Sequence, residues 1–380
     1  MLKVGIIGCG KIADAHVSQI QRLDGCEILG VCDREELMAR QLAERFGVKR
    51  YFNEISQLLK SCQPDVVHIT TPPQSHFEIA RMCLSHGCHV YVEKPLALSG
   101  AQTKELISLA ETSGRKLTAG HDAQFSHVAR RMRTLVGNGY LGGPPVHMES
   151  IWCYELGDNA YANALLGDKQ HWVRKLPGGL LHNIISHGIA RIAEFLETDE
   201  PQVIAHGFVS PLLQRLGENQ IIDELRVVIA EQGGMTAYFT FSSQMRPGLH
   251  QFRIYGPRNG LLLDQDNETL IRIRGDRHKS YLEQFVPPLV FARQYLGNFG
   301  ANFKSFLVND FHPKAGMKYL IEAFYKSIVA NSPVPIPYPQ IARTATIMDA
   351  IFSQIARRAE NSVPELRQIE EKTAIACCSI

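Results

Sequence analysis

The chain has 380 residues, of which 45% are hydrophobic and 21% charged, and a formal net charge of +2. Its length exceeds what one hydrophobic core usually supports, so about two domains are expected, and its composition excludes a disordered chain. So small a charge gives no electrostatic reason to expect nucleic acid or an anionic membrane as partner, and no run approaches the ~20 apolar residues of a membrane-spanning helix.

In chain order, LKVGIIG at residues 2–8 is a β-branched run followed by a helix from about Ile12 to Leu23. EILGVCD is the next strand and Glu35 to Phe46 the next helix; then come a short strand from Arg50 to Phe52 and a helix from Glu54 to Ser61. DVVHIT, a helix from Ser75 to His86, CHVYVEK, a helix from Ser99 to Thr112 and KLTAG complete the series, with Ser99 as an N-cap. Strands this apolar and without alternation are buried on both faces, which in a βαβα chain means a doubly wound parallel sheet covered by helices.

Gly8, Gly10 and Ala13 form G-x-G-x-x-A between the first strand and first helix, with Lys11 and Ile12 inside the turn. Glycines there permit close backbone approach, and a helix N-terminus presents free N–H groups to a pyrophosphate. Asp33 ends the second strand about 20 residues later, where a carboxylate accepts hydrogen bonds from ribose hydroxyls. It would repel a 2′-phosphate, which favours NAD over NADP; Arg34 beside it can stack on adenine or pair with that phosphate, so NADP stays open.

Two further loops follow strand ends. In Thr71-Pro72-Pro73-Gln74-Ser75-His76 the prolines stop the strand, and His76 is as compatible with the surface as with a ligand. In Glu93-Lys94-Pro95 a lysine ends a buried strand, where a charge needs a partner or a ligand. Beside an oxidised nicotinamide its pKa would fall and it could exchange a proton near neutrality. Taken alone, the motif reads first as an ordinary Lys–Glu surface pair.

Beyond residue 120, PVHMESIW, QVIAHGFV, ELRVVIAE, MTAYFTFSS, HQFRIYG and ETLIRIR alternate or are β-rich, with turn signals between them. They predict an α+β region with a mainly antiparallel sheet. PGGLLHNIISHG at 177–188 opens a helix expected over 178–197, with Leu181, Ile185, Gly188, Ile192 and Leu196 on one face. Asn183, His187, Arg191 and Glu194 lie opposite, where water is the simplest neighbour.

G-x-G-x-x-A, Asp33, TPPQSH and EKP, in this order and spacing, resemble the glucose-fructose oxidoreductase, inositol dehydrogenase and rhizopine catabolism (Gfo/Idh/MocA) family, and the likeness runs to about residue 355. The resemblance implies a Rossmann domain at 1–122, a substrate-binding and oligomerisation domain at 123–360 whose last helix, about 340–358, packs back on the first, and a tail at 361–380. It implies that Lys94 is catalytic, that Pro73 and His76 line the cofactor cleft with Thr71, Pro72 and Glu93, and that His187 stands at the family's histidine position. That family's aspartate is replaced here by Asn183, an amide that binds a hydroxyl but cannot take its proton. Proton transfer then falls to His187, whose ordinary titration near pH 6.5 suits it, with Lys94 as electrostatic partner and alternative base. Trp172 and Arg174 resemble the family's segment beside nicotinamide or substrate; His121 and Tyr154 are lesser candidates.

The function implied is hydride transfer between a nicotinamide and a secondary carbinol of a sugar, nucleotide sugar or cyclitol, in a homodimer or homotetramer assembled through the second sheet. An NAD-dependent glycoside hydrolase and a non-catalytic sugar- or cofactor-sensing protein are the alternatives. Nine scattered cysteines without a C-x-x-C pair or a Cys/His quartet suggest no metal centre and reduced thiols in a cytoplasm. The ending CCSI formally matches a prenylation box at Cys377, with nothing polybasic before it.

Overall fold

The apolar runs of the first 120 residues become six strands, β1 (Leu2–Ile7), β2 (Cys26–Cys32), β3 (Tyr51–Phe52), β4 (Val66–Ile69), β5 (His89–Val92) and β6 (Leu117–Ala119). Between them run helices α1 (Lys11–Ile20), α2 (Glu36–Phe46), α3 (Ile55–Cys62), α4 (His76–Ser85) and α5 (Gly100–Thr112). All pairings are parallel, in the order β3-β2-β1-β4-β5-β6, the doubly wound sheet expected. The order reverses between β1 and β4, which opens a crevice at the strands' C-terminal ends. Ser99 caps α5 by accepting the Gln102 N–H. The computed structural model describes residues 1–156, 160–275, 278–312 and 314–377, with side chains omitted for 160–163 and 358–377.

The chain continues through α6 (His127–Gly137), β7 (His147–Cys153), α7 (Ala160–Gly167), α8 (Gly179–Ile184), α9 (Ser186–Ala193), β8 (Gln202–Phe208) and α10 (Pro211–Arg215). Then follow β9 (Glu224–Ala230), β10 (Thr236–Ser242), β11 (His250–Tyr255), β12 (Asn259–Asp264) and β13 (Thr269–Arg274). These strands form a second sheet, β13-β12-β11-β7-β10-β9-β8, antiparallel except where β7 pairs with β10. Helices α11 (Leu282–Leu307), α12 (Ala315–Val329) and α13 (Tyr338–Cys377) end the chain. Each sheet has its own core. Met317, Leu320 and Phe324 of α12 join the first, and Ile347, Ile351 and Phe352 of α13 join the second.

Two elements depart from the sequence reading. The helix expected over 178–197 is two helices, broken at Ile185. Its opening glycines serve different ends: a Cβ on Gly178 would lie 2.2 Å from the Phe352 ring of α13, and Gly179 has φ +52°. Nor is the polar stripe solvated. Arg191 is buried, donating to the Ala123 carbonyl and to Gln265, while Glu194 pairs with Arg133 and accepts from Gln124. A helical wheel identifies a polar face but not that a second layer covers it. The last helix also runs on to Cys377 instead of ending near 358, through a stretch rich in Glu, Arg, Gln and Ala, which are good helix formers. Of the CCSI ending, Cys378, Ser379 and Ile380 lie outside the described residues.

Candidate functional site

The crevice at the β1/β4 reversal is a cavity of about 870 Å³ lined by Gly8, Gly10, Asp33, Arg34, Thr71 and Pro72, with Trp172 on its far side. Gly8 has φ +95°, and a Cβ there would stand 2.7 Å from the backbone of Thr70 and Thr71, so the turn admits only glycine. A Cβ on Gly10 would meet only open space, and no side chain caps α1. A pyrophosphate fits this place: bare backbone and free first-turn N–H groups facing a cavity. Asp33 Oδ2 accepts the Cys9 N–H at 2.7 Å and Oδ1 the Glu35 N–H at 3.0 Å, which ties the carboxylate to the glycine turn. Each oxygen retains a lone pair for a ribose hydroxyl. Arg34 is exposed, 3.7 Å from Glu35.

Several expected cofactor contacts point elsewhere. Lys11 begins α1 with its side chain exposed, while Ile12 and Ala13 pack toward the core. Pro73 is buried. His76 is fully buried, its ring nitrogens 2.8 and 2.7 Å from the carbonyl oxygens of Pro95 and Thr71, so it ties the two loops together from beneath. Glu93 is turned inward, its carboxylate 2.8 Å from His16 Nε2. From there a buried chain continues: His16 Nδ1 to His68 Nδ1 at 2.9 Å, and His68 Nε2 to the Tyr325 hydroxyl at 2.8 Å. With Glu93 ionised, one set of tautomers satisfies every link, the hydroxyl donating to His68, His68 to His16, and His16 to the carboxylate. Burial pushes the Glu93 pKa up, but His16 and Lys94 outweigh it and hold the carboxyl below its ordinary value.

Lys94 follows Glu93 at the end of β5 and donates from Nζ to the Asn183 main-chain carbonyl at 2.7 Å. Residue 183 therefore holds the lysine through its backbone, a contact that amide or carboxylate would make alike. His187, one turn on, stacks on Trp152 with centroids 5.4 Å apart and meets the edge of His121 at 6.1 Å. Its Nδ1 lies 3.8 Å from Asp122 Oδ1. Asp122 thus places a carboxylate near His187, beyond hydrogen-bond distance of its Nδ1. The sequence reading passed it over although it follows β6, at the end of the sheet where ligands gather. Trp152 and His16 carried no sequence signal.

Burial lowers the Lys94 pKa, against the pull of Glu93 and Asp122. Burial likewise pushes His187 well below its ordinary value, helped by the charges of Lys94 and Lys314. The expectation that His187 titrates near neutrality therefore fails; the ring is neutral at pH 7, and Lys94 is the group brought toward neutrality. Asp122 is raised by burial and by Glu93, with Lys314 and Lys94 opposing.

The remaining candidates separate. His121 is buried beside His187, with Nδ1 lacking a hydrogen-bond partner. Trp172 reaches the cofactor crevice, its carbonyl accepting from Gln74 at 3.0 Å. Arg174 does not; it pairs with Glu218 at 2.7 Å and lines another cavity with Gly178 and Gly179. Tyr154 packs against the second core just beyond β7.

Burial lowers His121 and His182 from 6.5 to about 4. Since these rings bind protons near pH 6.5 only when unfolded, the stability their neutrality contributes is complete above pH 6.5 and lost as pH falls toward 4. By about pH 5.5 each should cost roughly 1.4 kcal/mol. Thermal unfolding followed from pH 7 to 5 should show a loss that His121→Asn/His182→Gln reduces; equal slopes would refute this origin.

Residues 2–121 match the family model for Gfo/Idh/MocA, described as an oxidoreductase family with an NAD-binding Rossmann fold. The D-glucoside 3-dehydrogenase of Escherichia coli is 34% identical over 142 residues, which span 37% of this chain and 40% of that enzyme. The myo-inositol 2-dehydrogenase of Thermotoga maritima is 22% identical over 312 residues, 81% of this chain and 88% of that one. Among solved structures, an NAD binding oxidoreductase from Klebsiella pneumoniae has a TM-score of 0.75 at 19% identity, covering 94% of this chain and 97% of that chain. At that identity the likeness is one of fold.

Proposed function

We propose that the chain, whose residues 2–121 match the Gfo/Idh/MocA oxidoreductase model, is an NAD-dependent dehydrogenase acting on a secondary carbinol of a sugar, nucleotide sugar or cyclitol. The observation that carries this reading is Lys94, held on the Asn183 carbonyl at the end of β5 with His187 and Asp122 beside it. Gly8, Gly10 and the α1 N-terminus would hold the pyrophosphate and Asp33 the adenosine ribose. The nicotinamide, when bound, supplies hydride acceptance or donation. This chain's residues move the proton: neutral Lys94 takes it from the substrate hydroxyl during oxidation and returns it during reduction. Neutral His187 and the Asn183 amide orient the hydroxyl, and Asp122 positions the pair through its charge.

The unit over 1–122 would bind the cofactor, and that over 123–360 the substrate. Ile204, Val228 and Tyr238, exposed neighbours in one cross-strand row of the second sheet, suit contact with a second copy. The seven cysteines from Cys9 to Cys153 are free, which suits a cytoplasmic setting.

The test is incubation of the purified protein with NAD or NADP and a panel of cyclitols, free sugars and nucleotide sugars, following reduced nicotinamide. Turnover on none of them sinks the reading. Asp33→Ala should weaken NAD binding by about tenfold while affecting NADP less, measured by fluorescence titration; equal losses would remove the basis for NAD preference. Asp122→Asn tests the proton assignment. Because the carboxylate raises the Lys94 pKa, its loss should move the rising limb of the oxidation pH profile to lower pH. An unmoved limb separates Asp122 from Lys94.

A further inference from the structure

The exposed surface of α11 inverts the usual arrangement of a surface helix. Its one buried residue is polar, Asn298, whereas Leu282, Phe285, Leu289, Leu296, Phe299 and Phe303 recur at spacings of three, four and seven residues and face outward. Phe285, Leu289, Leu296 and Phe299 are 69, 72, 72 and 67% exposed. At 1.5 Å per residue the 26-residue helix is about 39 Å long, so the stripe far exceeds the scattered apolar side chains of an ordinary surface.

Immediately around the helix from this stripe, Val290, Arg293 and Gly297 line a cavity of about 760 Å³ that also takes in Arg131, Arg272 and Arg274. No carboxylate lines it, and none of the four arginines forms an ion pair among the described residues. Arg131 donates to Asn298, and burial together with Arg272 lowers its pKa against the pull of Glu268 nearby. Guanidinium forks match phosphate oxygens. An isologous contact with a second copy would bring the same cluster from both chains to one surface with no acidic counterpart in the lining.

We propose that α11 lies flat on an anionic lipid surface, the stripe entering the headgroup boundary and the arginine cavity receiving lipid phosphate. Among the described residues no helix is long and apolar enough to cross a membrane, and the geometry is that of an interfacial helix. The small net charge does not oppose this, because attraction acts within about 10 Å and is set by the local cluster.

The test is flotation of the full chain with vesicles of phosphatidylcholine and phosphatidylglycerol in equal parts, against phosphatidylcholine alone, with light scattering for assembly. Binding is expected to the anionic vesicles and to weaken by roughly fivefold for each arginine lost in Arg272→Gln/Arg293→Gln. Phe299→Ser/Phe303→Ser should lower it by at least about tenfold. Both variants alter exposed side chains, and unchanged melting and NAD binding would verify the fold independently of turnover. Three results overturn the proposal: no binding to anionic vesicles, equal binding to both vesicle types, or a phenylalanine variant that dissociates an oligomer while vesicle binding persists. The last would assign the stripe to a second copy.

Discussion

Lys94→Ala is expected to lower kcat/KM for carbinol oxidation by about 10²–10⁴-fold, the usual range for losing a positioned general base. It should also abolish the rising limb of the pH profile. In the folded chain burial lowers the lysine's pKa below its ordinary value, so the neutral, proton-accepting form accumulates on raising the pH through that lowered value. Activity of the native protein should rise with pH and then level. His187→Ala should slow turnover yet retain the limb, since a ring held well below its ordinary pKa is already neutral across the range. NAD affinity provides the control, because the glycine crevice is lined by other residues. If the limb survives Lys94→Ala and disappears in His187→Ala, the assignment is reversed.

Gly8→Val should abolish NAD binding and destabilise the fold by about 3 kcal/mol or more. The backbone at φ +95° disfavours any side chain, and a Cβ would stand 2.7 Å from Thr70 and Thr71 main-chain atoms, which cannot swing aside as a side-chain tip can. Thermal unfolding and a nicotinamide fluorescence titration would measure both effects. Gly10→Ala separates packing from ligand space: a Cβ there meets nothing within 4 Å, so stability should be nearly unchanged while affinity falls. A Gly10→Ala protein that binds NAD as tightly as the native chain would mean that the pyrophosphate does not lie over this turn.

Much of the site was legible because it is local. The glycine turn, Asp33 and Lys94 each sit where a strand ends, and strand ends follow from apolar runs and their punctuation. Even the roles that changed are instructive. His187 lies on the expected helix, but its pKa depends on burial and on Lys94 and Lys314, cations from separate stretches of chain. Glu93 and Lys94 are adjacent in sequence and opposite in destination, one bonded to His16 in the core and the other to Asn183 across the gap between the sheets.

From the sequence alone came the order of strands and helices over the first 120 residues, the doubly wound first sheet, the mainly antiparallel second one and the turn suited to a dinucleotide. Periods of 2.0 and 3.6 residues and the steric demands of glycine and proline act over a few residues and can be read in one dimension. Only the tertiary structure decided that Asp122 stands beside His187, that His68 reaches Tyr325 257 residues away, and that Arg191 is buried. It alone decided that the apolar stripe of α11 faces outward beside four arginines. Periodicity establishes that a helix has an apolar face; which surface covers it, and which charges gather nearby, depends on contacts between segments far apart in the chain.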